Sequence, residues 1–183
     1  MIDTLLTIAH AESGVLALNR SRLSIMELTR ESVSIVKVLA EEKGQTISIM
    51  EADDREFLAD RSFLRMAVVN LLDNAIKYSP ERGVIRVNVR VLDAMQVEGQ
   101  FVEIGIADQG PGIPEEARLR IFDRFYRLDD SRNREAGGVG LGLAIAKWAV
   151  EAHGGNIRVD TANGGGSVFS IALPCSASTV FKT

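Results

Sequence analysis

The chain has 183 residues, 46% of them hydrophobic and 25% charged, enough apolar content for one packed domain with a short appendage. Its 21 basic and 25 acidic residues leave a net charge of −4, which gives no electrostatic case for nucleic acid or for an anionic membrane. No apolar run reaches bilayer length, the start does not read as a signal peptide, the single Cys175 excludes an internal disulfide and suggests a reducing compartment, and His10 and His153 lack Cys or His neighbours at zinc spacing.

Residues 2–11 (IDTLLTIAHA) read as helical, but ten residues make a marginal helix alone, so they finish something longer or pack on a partner. VLALN (15–19) reads as a short strand. Ser24 and Glu27 stand at capping-box spacing and open a helix, with Ile25, Leu28, Ser32, Ile35 and Leu39 on one face and Gly44 at its end. TISIM (46–50) alternates as a strand. Asp60 is a candidate N-cap for the next helix, closed by Pro80 and Gly83. VIRVNVRVL (84–92) and FVEIGIAD (101–108) read as strands, 115–122 as a short helix, and 127–139 as a charged, Gly-rich mobile loop. A helix from about Gly140 to His153 ends at Gly154 and Gly155, and strands follow at 156–160 and 167–173, with a frayed tail beyond Pro174. The count predicts an α+β fold in which a mostly antiparallel sheet is covered on one face by three helices.

NLLDNAIKYSP (70–80) carries the first chemical signal. At about 100° per residue, Asn74 lies roughly 40° and Lys77 roughly 20° from Asn70, and Asp73 shares that arc. Leu71, Leu72, Ala75 and Ile76 lie opposite and extend the stripe of Leu64 and Val68. Asn is a poor helix former, so two on one face suit a specific partner as readily as plain solvent exposure. A carboxamide oxygen suits Mg²⁺, which keeps waters and takes other ligands from phosphates. Lys77 is placed to meet a phosphate oxygen, and Tyr78 borders this face, where its ring could pack on a base.

DQGPGI (108–113) follows a strand directly. Gly110 and Gly112 permit close backbone approach, and Asp108 stands where a carboxylate can accept an amino hydrogen, although Asp-x-Gly-Pro-Gly is also ordinary turn chemistry. In GGVGLGLAIAK, Gly138, Gly140 and Gly142 lead into a helix, a phosphate-binding arrangement. A P-loop needs Lys-Ser/Thr where Leu143 and Ala144 stand, and the dinucleotide fingerprint needs a preceding strand and a small sixth residue; both fail. AIK (75–77) lacks the His-Arg-Asp and Asp-Phe-Gly partners of the protein-kinase lysine. His153, in a last helical turn, reads as a capping residue rather than a catalytic one.

Taken in order, these stretches resemble the ATP-binding catalytic domain of sensor histidine kinases, of the superfamily shared with DNA gyrase and MutL-type ATPases. NLLDNAIKYS looks like the N box, DQGPGI the G1 box, IFDRFYR (121–127) the F box, GGVGLGL the G2 box, and GGGSVFSIALP the closing strand. The resemblance covers residues 15–174 and implies a two-layer α/β sandwich, the Bergerat fold, with ATP between the N-box helix and a lid. It implies Mg²⁺ at Asn74 with Asn70 assisting, phosphate contact by Lys77, and Tyr78 beside the adenine. It implies that Asp108 would accept from the adenine amino group and that Gly110 and Gly112 would shape the base pocket, with Ile113 a further cofactor-binding candidate. By the same resemblance Arg127 would reach the γ-phosphate, Gly138, Gly140 and Gly142 would support the phosphates, and Leu141 and Leu143 are further cofactor-binding candidates. Ser167 completes the set from the closing strand, with Arg132 and Arg134 as weaker lid candidates; Val139 departs from the usual Thr or Ser.

The superfamily's hydrolytic members place a glutamate four residues before the metal-binding Asn. Here that residue is Asn70, so the resemblance points to a kinase rather than an ATPase. The family's acceptor box, of the type His-Glu-x-x-Arg-Thr-Pro, is absent; His10 is followed by Ala11 and Glu12. Residues 1–14 therefore read as the end of a dimerisation hairpin, 15–174 as the catalytic domain and 175–183 as a tail. The expected partners are ATP, the kinase's own phosphoacceptor domain and a response regulator, in the cytoplasm beneath an inner-membrane sensor. A serine kinase of anti-sigma-factor type and a nucleotide-sensing module without transfer activity are the alternatives.

Overall fold

The computed structural model describes residues 17–50, 54–93, 100–128 and 139–175. The expectations for 2–11, His10, Arg132, Arg134, Gly138 and the tail from 176 lie outside the described residues.

Strand β1 (Ser21–Ser24) leads directly into helix α1 (Ile25–Glu42). Ser24 caps it, its Oγ accepting from Glu27 N–H at 2.9 Å and donating to the Asp54 carboxylate. The Glu27 carboxylate accepts from Arg61 at 2.6 Å, which ties α1 to the next helix. The buried face is Ile25, Leu28, Thr29, Ser32, Val36 and Ala40, whereas Ile35 and Leu39 are 54% and 46% exposed. The expected stripe is thus rotated. Thr29 and Ser32 can be buried because each hydroxyl donates to the carbonyl one turn back, Ile25 O and Leu28 O, both at 2.8 Å.

The strand expected at 15–19 is displaced. Residues 17–20 have no regular structure, and Asn19 N–H donates to Asp60 Oδ2 at 2.9 Å instead of to a strand. β1 pairs antiparallel with β3 (Glu56–Ala59), a strand the sequence reading did not assign. The main sheet has the order β2 (Thr46–Met50), β4 (Val84–Asp93), β5 (Gln100–Ala107), β7 (Ser167–Cys175), β6 (Asn156–Thr161). Only β2–β4 is parallel. One face buries Ile85, Val87, Ile104, Ile106, Ile171 and Leu173 beneath the helices, so the α+β sandwich expected from the strand and helix pattern is the observed fold. The segment 115–122 is two 3-10 turns, Glu115–Ala117 and Arg120–Phe122, rather than one helix.

Helix α2 (Arg61–Tyr78) is capped by Asp60, whose Oδ1 accepts from Ser62 and Phe63 N–H. Its other end is held from a distance. Lys43 Nζ donates to Ile76 O (3.0 Å) and Lys77 O (3.2 Å), and Gln45 Nε2 to Ile76, Ser79 and Pro80 carbonyls at 3.0–3.1 Å. These satisfy carbonyls that a helix terminus leaves without partners.

Helix α3 (Gly142–Ala152) packs on α2, with Phe63 and Trp148 edge to face at 5.0 Å. His153 follows it and is buried. Its Nδ1–H donates to Ala149 O at 2.7 Å, so Nε2 keeps a lone pair and accepts from Asp60 N–H at 2.9 Å. The capping role expected of His153 is present, and its second nitrogen adds a bolt to the start of α2. Arg20 Nη2 joins the cluster at Ala152 O.

Protonated His153 would turn an N–H toward the Asp60 N–H. Burial lowers its pKa, aided by Arg20 and opposed by the Ala149 hydrogen bond and Asp60. Because the folded pKa lies below the unfolded value, the unfolded chain takes up the proton first. Stability is complete above about pH 6.5 and falls as pH drops toward the folded pKa. The melting temperature of the wild type should therefore drop more between about pH 7.5 and about pH 5.5 than that of His153→Gln, whose side chain does not titrate; parallel pH profiles would remove His153 as the cause.

Candidate functional site

The α2 carboxamide face is not an open solvated face. Asn70, Asn74 and Lys77 are half-buried, and only Asp73 on that arc is exposed. The first turn of α3 lies against it: a Cβ at Gly142 would stand 3.3 Å from Asn70 Oδ1. Leu141, at the N-cap of α3, supplies no side-chain hydrogen bond, so the first turn of α3, with its positive dipole end, meets the carboxamide face without a side-chain cap. Leu141 itself is buried with Ile145, with the partly buried Met66 packed against them, and Leu143 packs against the main core.

The G1-like turn meets the far end of α2. A Cβ at Gly110 would come within 2.9 Å of Tyr78 O. Ser79 Oγ accepts from Gln109 N–H at 3.3 Å, and Gln109 Oε1 accepts from Val84 N–H at 2.7 Å. Asp108, just past β5, is buried; its Oδ1 accepts from Gly110 N–H (2.8 Å) and Ser167 N–H (3.1 Å). Its own N–H donates to Ser167 O at 2.9 Å. Burial raises the Asp108 pKa, and the two backbone N–H groups oppose that rise. With Oδ1 committed, Oδ2 is the atom that can face a ligand. Gly112 has φ +78, and Ile113 packs on the core beside it.

Arg127 is half-buried; burial lowers the Lys77 pKa, Asp73 opposes that, and the charges of Arg127 and Lys43 lower it further. The two cations expected at the phosphates are therefore brought near one another. Lys77 Nζ also lies 5.5 Å from the Tyr78 ring centre, and Tyr78 is exposed on the rim. Gly140 (φ +73) closes onto the F-like turn: Phe125 N–H donates to Gly140 O at 2.9 Å, and a Cβ there would collide with Phe125.

Of the residues expected at a site, Asn70, Asn74, Lys77, Tyr78, Asp108, Gly110, Gly112, Ile113, Arg127, Gly140, Leu141, Gly142, Leu143 and Ser167 are described, and Gly138 is not. Sequence reasoning missed Lys43, Gln45 and Gln109, which hold the C-terminal end of α2 and the turn beside it; no local pattern marks them. Among the described residues no group of three or more His, Cys, Asp or Glu could hold a metal. The carboxamides fit a Mg²⁺ that draws its remaining ligands from water and phosphate.

A model of the family described as histidine kinase-, DNA gyrase B-, and HSP90-like ATPase matches residues 59–177. The chain belongs to this family. Within it, the chain is a catalytic ATP-binding domain of the sensor histidine kinase type. It is 33% identical over 174 residues to the sensor histidine kinase WalK of Bacillus subtilis (strain 168), covering 95% of this chain and 28% of WalK. It is 33% identical to the sensor-like histidine kinase SenX3 of Mycobacterium tuberculosis (strain ATCC 25618 / H37Rv), covering 95% of this chain and 41% of SenX3. The chain thus spans less than half the length of these relatives. The mycobacterial sensor histidine kinase MprB superposes with a TM-score of 0.71 at 32% identity, over 87% of this chain and 99% of that one. Full-length ShkA in complex with AMPPNP superposes with a TM-score of 0.77 at 28% identity, over 97% of this chain and 36% of ShkA. No helix among the described residues is long and apolar enough to cross a membrane.

In this histidine-kinase-type domain the turn before β7 fixes Asp108. Gly166 has φ +88, and a Cβ there would collide with Asp108 O; Gly164 has a similar φ of +94 but faces open space. Gly164→Ala should therefore cost only the backbone strain, about 1 kcal/mol, and Gly166→Ala at least about 2 kcal/mol in denaturant unfolding. Equal costs would mean that the contact with Asp108 does not constrain this turn.

Proposed function

We propose that the chain binds Mg·ATP and passes its γ-phosphoryl group to a histidine presented by a dimerisation domain, from which a response regulator is then loaded. The convergence of the Asn70 and Asn74 carboxamides, the uncapped N-terminus of α3 and the buried Asp108 carboxylate carries this reading. Asp108 Oδ2 accepts from the adenine amino group while Ser167 and Gly110 hold Oδ1. Gly110 and Gly112 let the base approach the backbone, Ile113 and Leu143 line it with apolar surface, and Tyr78 covers its edge. Asn74, with Asn70, would hold Mg²⁺, which would supply charge neutralisation to the phosphates. Lys77, Arg127 and the N–H groups from Gly140 to Leu143 stabilise the phosphates, with Gly138 in the preceding lid.

No carboxylate stands at position 70 to draw a proton from water. The site therefore orients the γ-phosphate toward an outside nucleophile. The acceptor's imidazole nitrogen attacks phosphorus, the β–γ bridging P–O bond breaks, and ADP leaves with the electron pair. His153 is unsuited as acceptor, since both ring nitrogens are hydrogen-bonded and it is buried.

Calorimetry of the 183-residue chain should detect AMPPNP binding that strengthens with magnesium. Asn74→Ala should lose about tenfold affinity with magnesium and little without it. Labelled ATP should mark a separately supplied acceptor hairpin and not the chain itself; self-labelling would overturn the assignment of the acceptor. Asp108→Asn keeps Oδ1 but sets an amino group where Oδ2 stood. It should weaken adenine nucleotide binding about 10- to 100-fold, the value of a hydrogen bond to a charged group, without lowering the melting temperature. Unchanged affinity would remove Asp108 from the base pocket.

A further inference from the structure

The face of the sheet that none of the described helices covers carries a cleft of about 480 Å³ behind the Asp108 turn. Arg86, Ala107 and Val168 are cross-strand neighbours on β4, β5 and β7 and line it, together with Gln109, Asn163 and Gly164. It is a separate space from the one between α2 and α3, because the side chains of Arg86, Ala107 and Val168 alternate away from the buried face formed by Ile85, Ile106 and Phe169.

Three arginines stand on this outer face, and their circumstances differ. Arg90 and Arg158 both pair with the buried Glu103, and Arg158 also pairs with Asp160. Arg86 has no hydrogen bond or ion pair among the described residues, and it is the one that lines the cleft. The other polar groups add donors. Gln109 Oε1 is committed to Val84 N–H, which leaves its Nε2 amino group for a ligand. Asn163 is exposed, and at Gly164 and Gly165 an added Cβ would meet nothing within 4 Å, so the turn's backbone is open. Asp108 and Gly110, both assigned above to the base pocket, also line the cleft, so the two spaces share the Asp108 turn; the Asp108 Oδ1 is held by Gly110 and Ser167. A guanidinium and neighbouring amides over an Ala and Val floor match a planar or tetrahedral oxyanion on a small apolar frame.

We propose that this cleft binds the carboxylate or phosphate of a small molecule through Arg86, and that its occupancy alters adenine nucleotide binding on the opposite side. The second clause rests on the nucleotide reading given above. The mechanical link is the turn itself: Gly166 sits against Asp108 O, and Ser167 N–H holds the Asp108 carboxylate, so a ligand that orders residues 162–165 acts on the carboxylate that would meet the base.

The test is an NMR titration of the full 183-residue chain, with inorganic phosphate in one arm and succinate in the other, at constant ionic strength against chloride. Saturable shifts at the Gly164 and Gly165 amides and the Gln109 side chain are expected in at least one arm, which identifies the oxyanion. Affinity should fall at least about fivefold in Arg86→Gln and also in Asn163→Asp, which sets a carboxylate on the rim. Shifts that follow chloride without saturating, or that persist in Arg86→Gln, overturn the site. ADP affinity should change at least about twofold when the cleft is saturated, in the wild type but not in Arg86→Gln. Phosphate competing at the nucleotide's own phosphate position would act equally on both proteins. Oxyanion binding with unchanged ADP affinity overturns the effector role. Absence of ADP binding in every condition would count against the nucleotide reading while the oxyanion titration still reads the cleft.

Discussion

The approach of Gly142 to Asn70 is the contact on which the functional architecture depends. It places the positive end of one helix over the carboxamide face of another, and the absence of a side chain at residue 142 keeps it close, since an added Cβ would press on Asn70 Oδ1 at 3.3 Å. A helix start and an amide face are each weak attractors for an anion in water. Together in a half-buried groove they act at lower effective dielectric, with less reorganisation left for the ligand to impose. The two helices keep this spacing because their remote ends are fastened too, by the His153 ring against the Asp60 backbone.

This arrangement also accounts for residues that look incidental. The C-terminal end of α2 runs into the turn that carries Asp108, so its last carbonyls cannot rely on water. Lys43 and Gln45 arrive from the α1–β2 connection to satisfy them. Gln45 Oε1 is buried without a partner, a cost of about 1–3 kcal/mol set against the three carbonyls its amino group reaches. The connection between α1 and the sheet thereby helps fix the geometry of the proposed base pocket.

Much of the candidate site's arrangement was legible in the sequence, because its signals are local: carboxamides at helical spacing, glycines at turns, an Asp at a strand end. The elements failed where pairing is distant. VLALN reads as a strand on composition, yet Ser21–Ser24 takes the role because Glu56–Ala59 lies beside it. Helix α1 carries more apolar residues than one face can bury, and the choice fell on Val36 and Ala40 over Ile35 and Leu39. Periodicity alone cannot make that choice, since it cannot foresee Thr29 and Ser32 returning their hydroxyls to the helix backbone. Nor can it show the second nitrogen of His153 reaching across 93 positions.

The carboxylate of Glu103, enclosed between Arg90 and Arg158, has a positional consequence. A strand that is apolar on its inner side resists slipping by one residue, since a slip would turn its hydrophobic side chains outward. Here the outer side resists as well, since a slip would drive a charge into the core. Strand β5 is therefore indexed from both sides, and Asp108, continuing from that same strand, inherits the setting. The carboxylate proposed to read the base is held in place by an ion triad that never touches it.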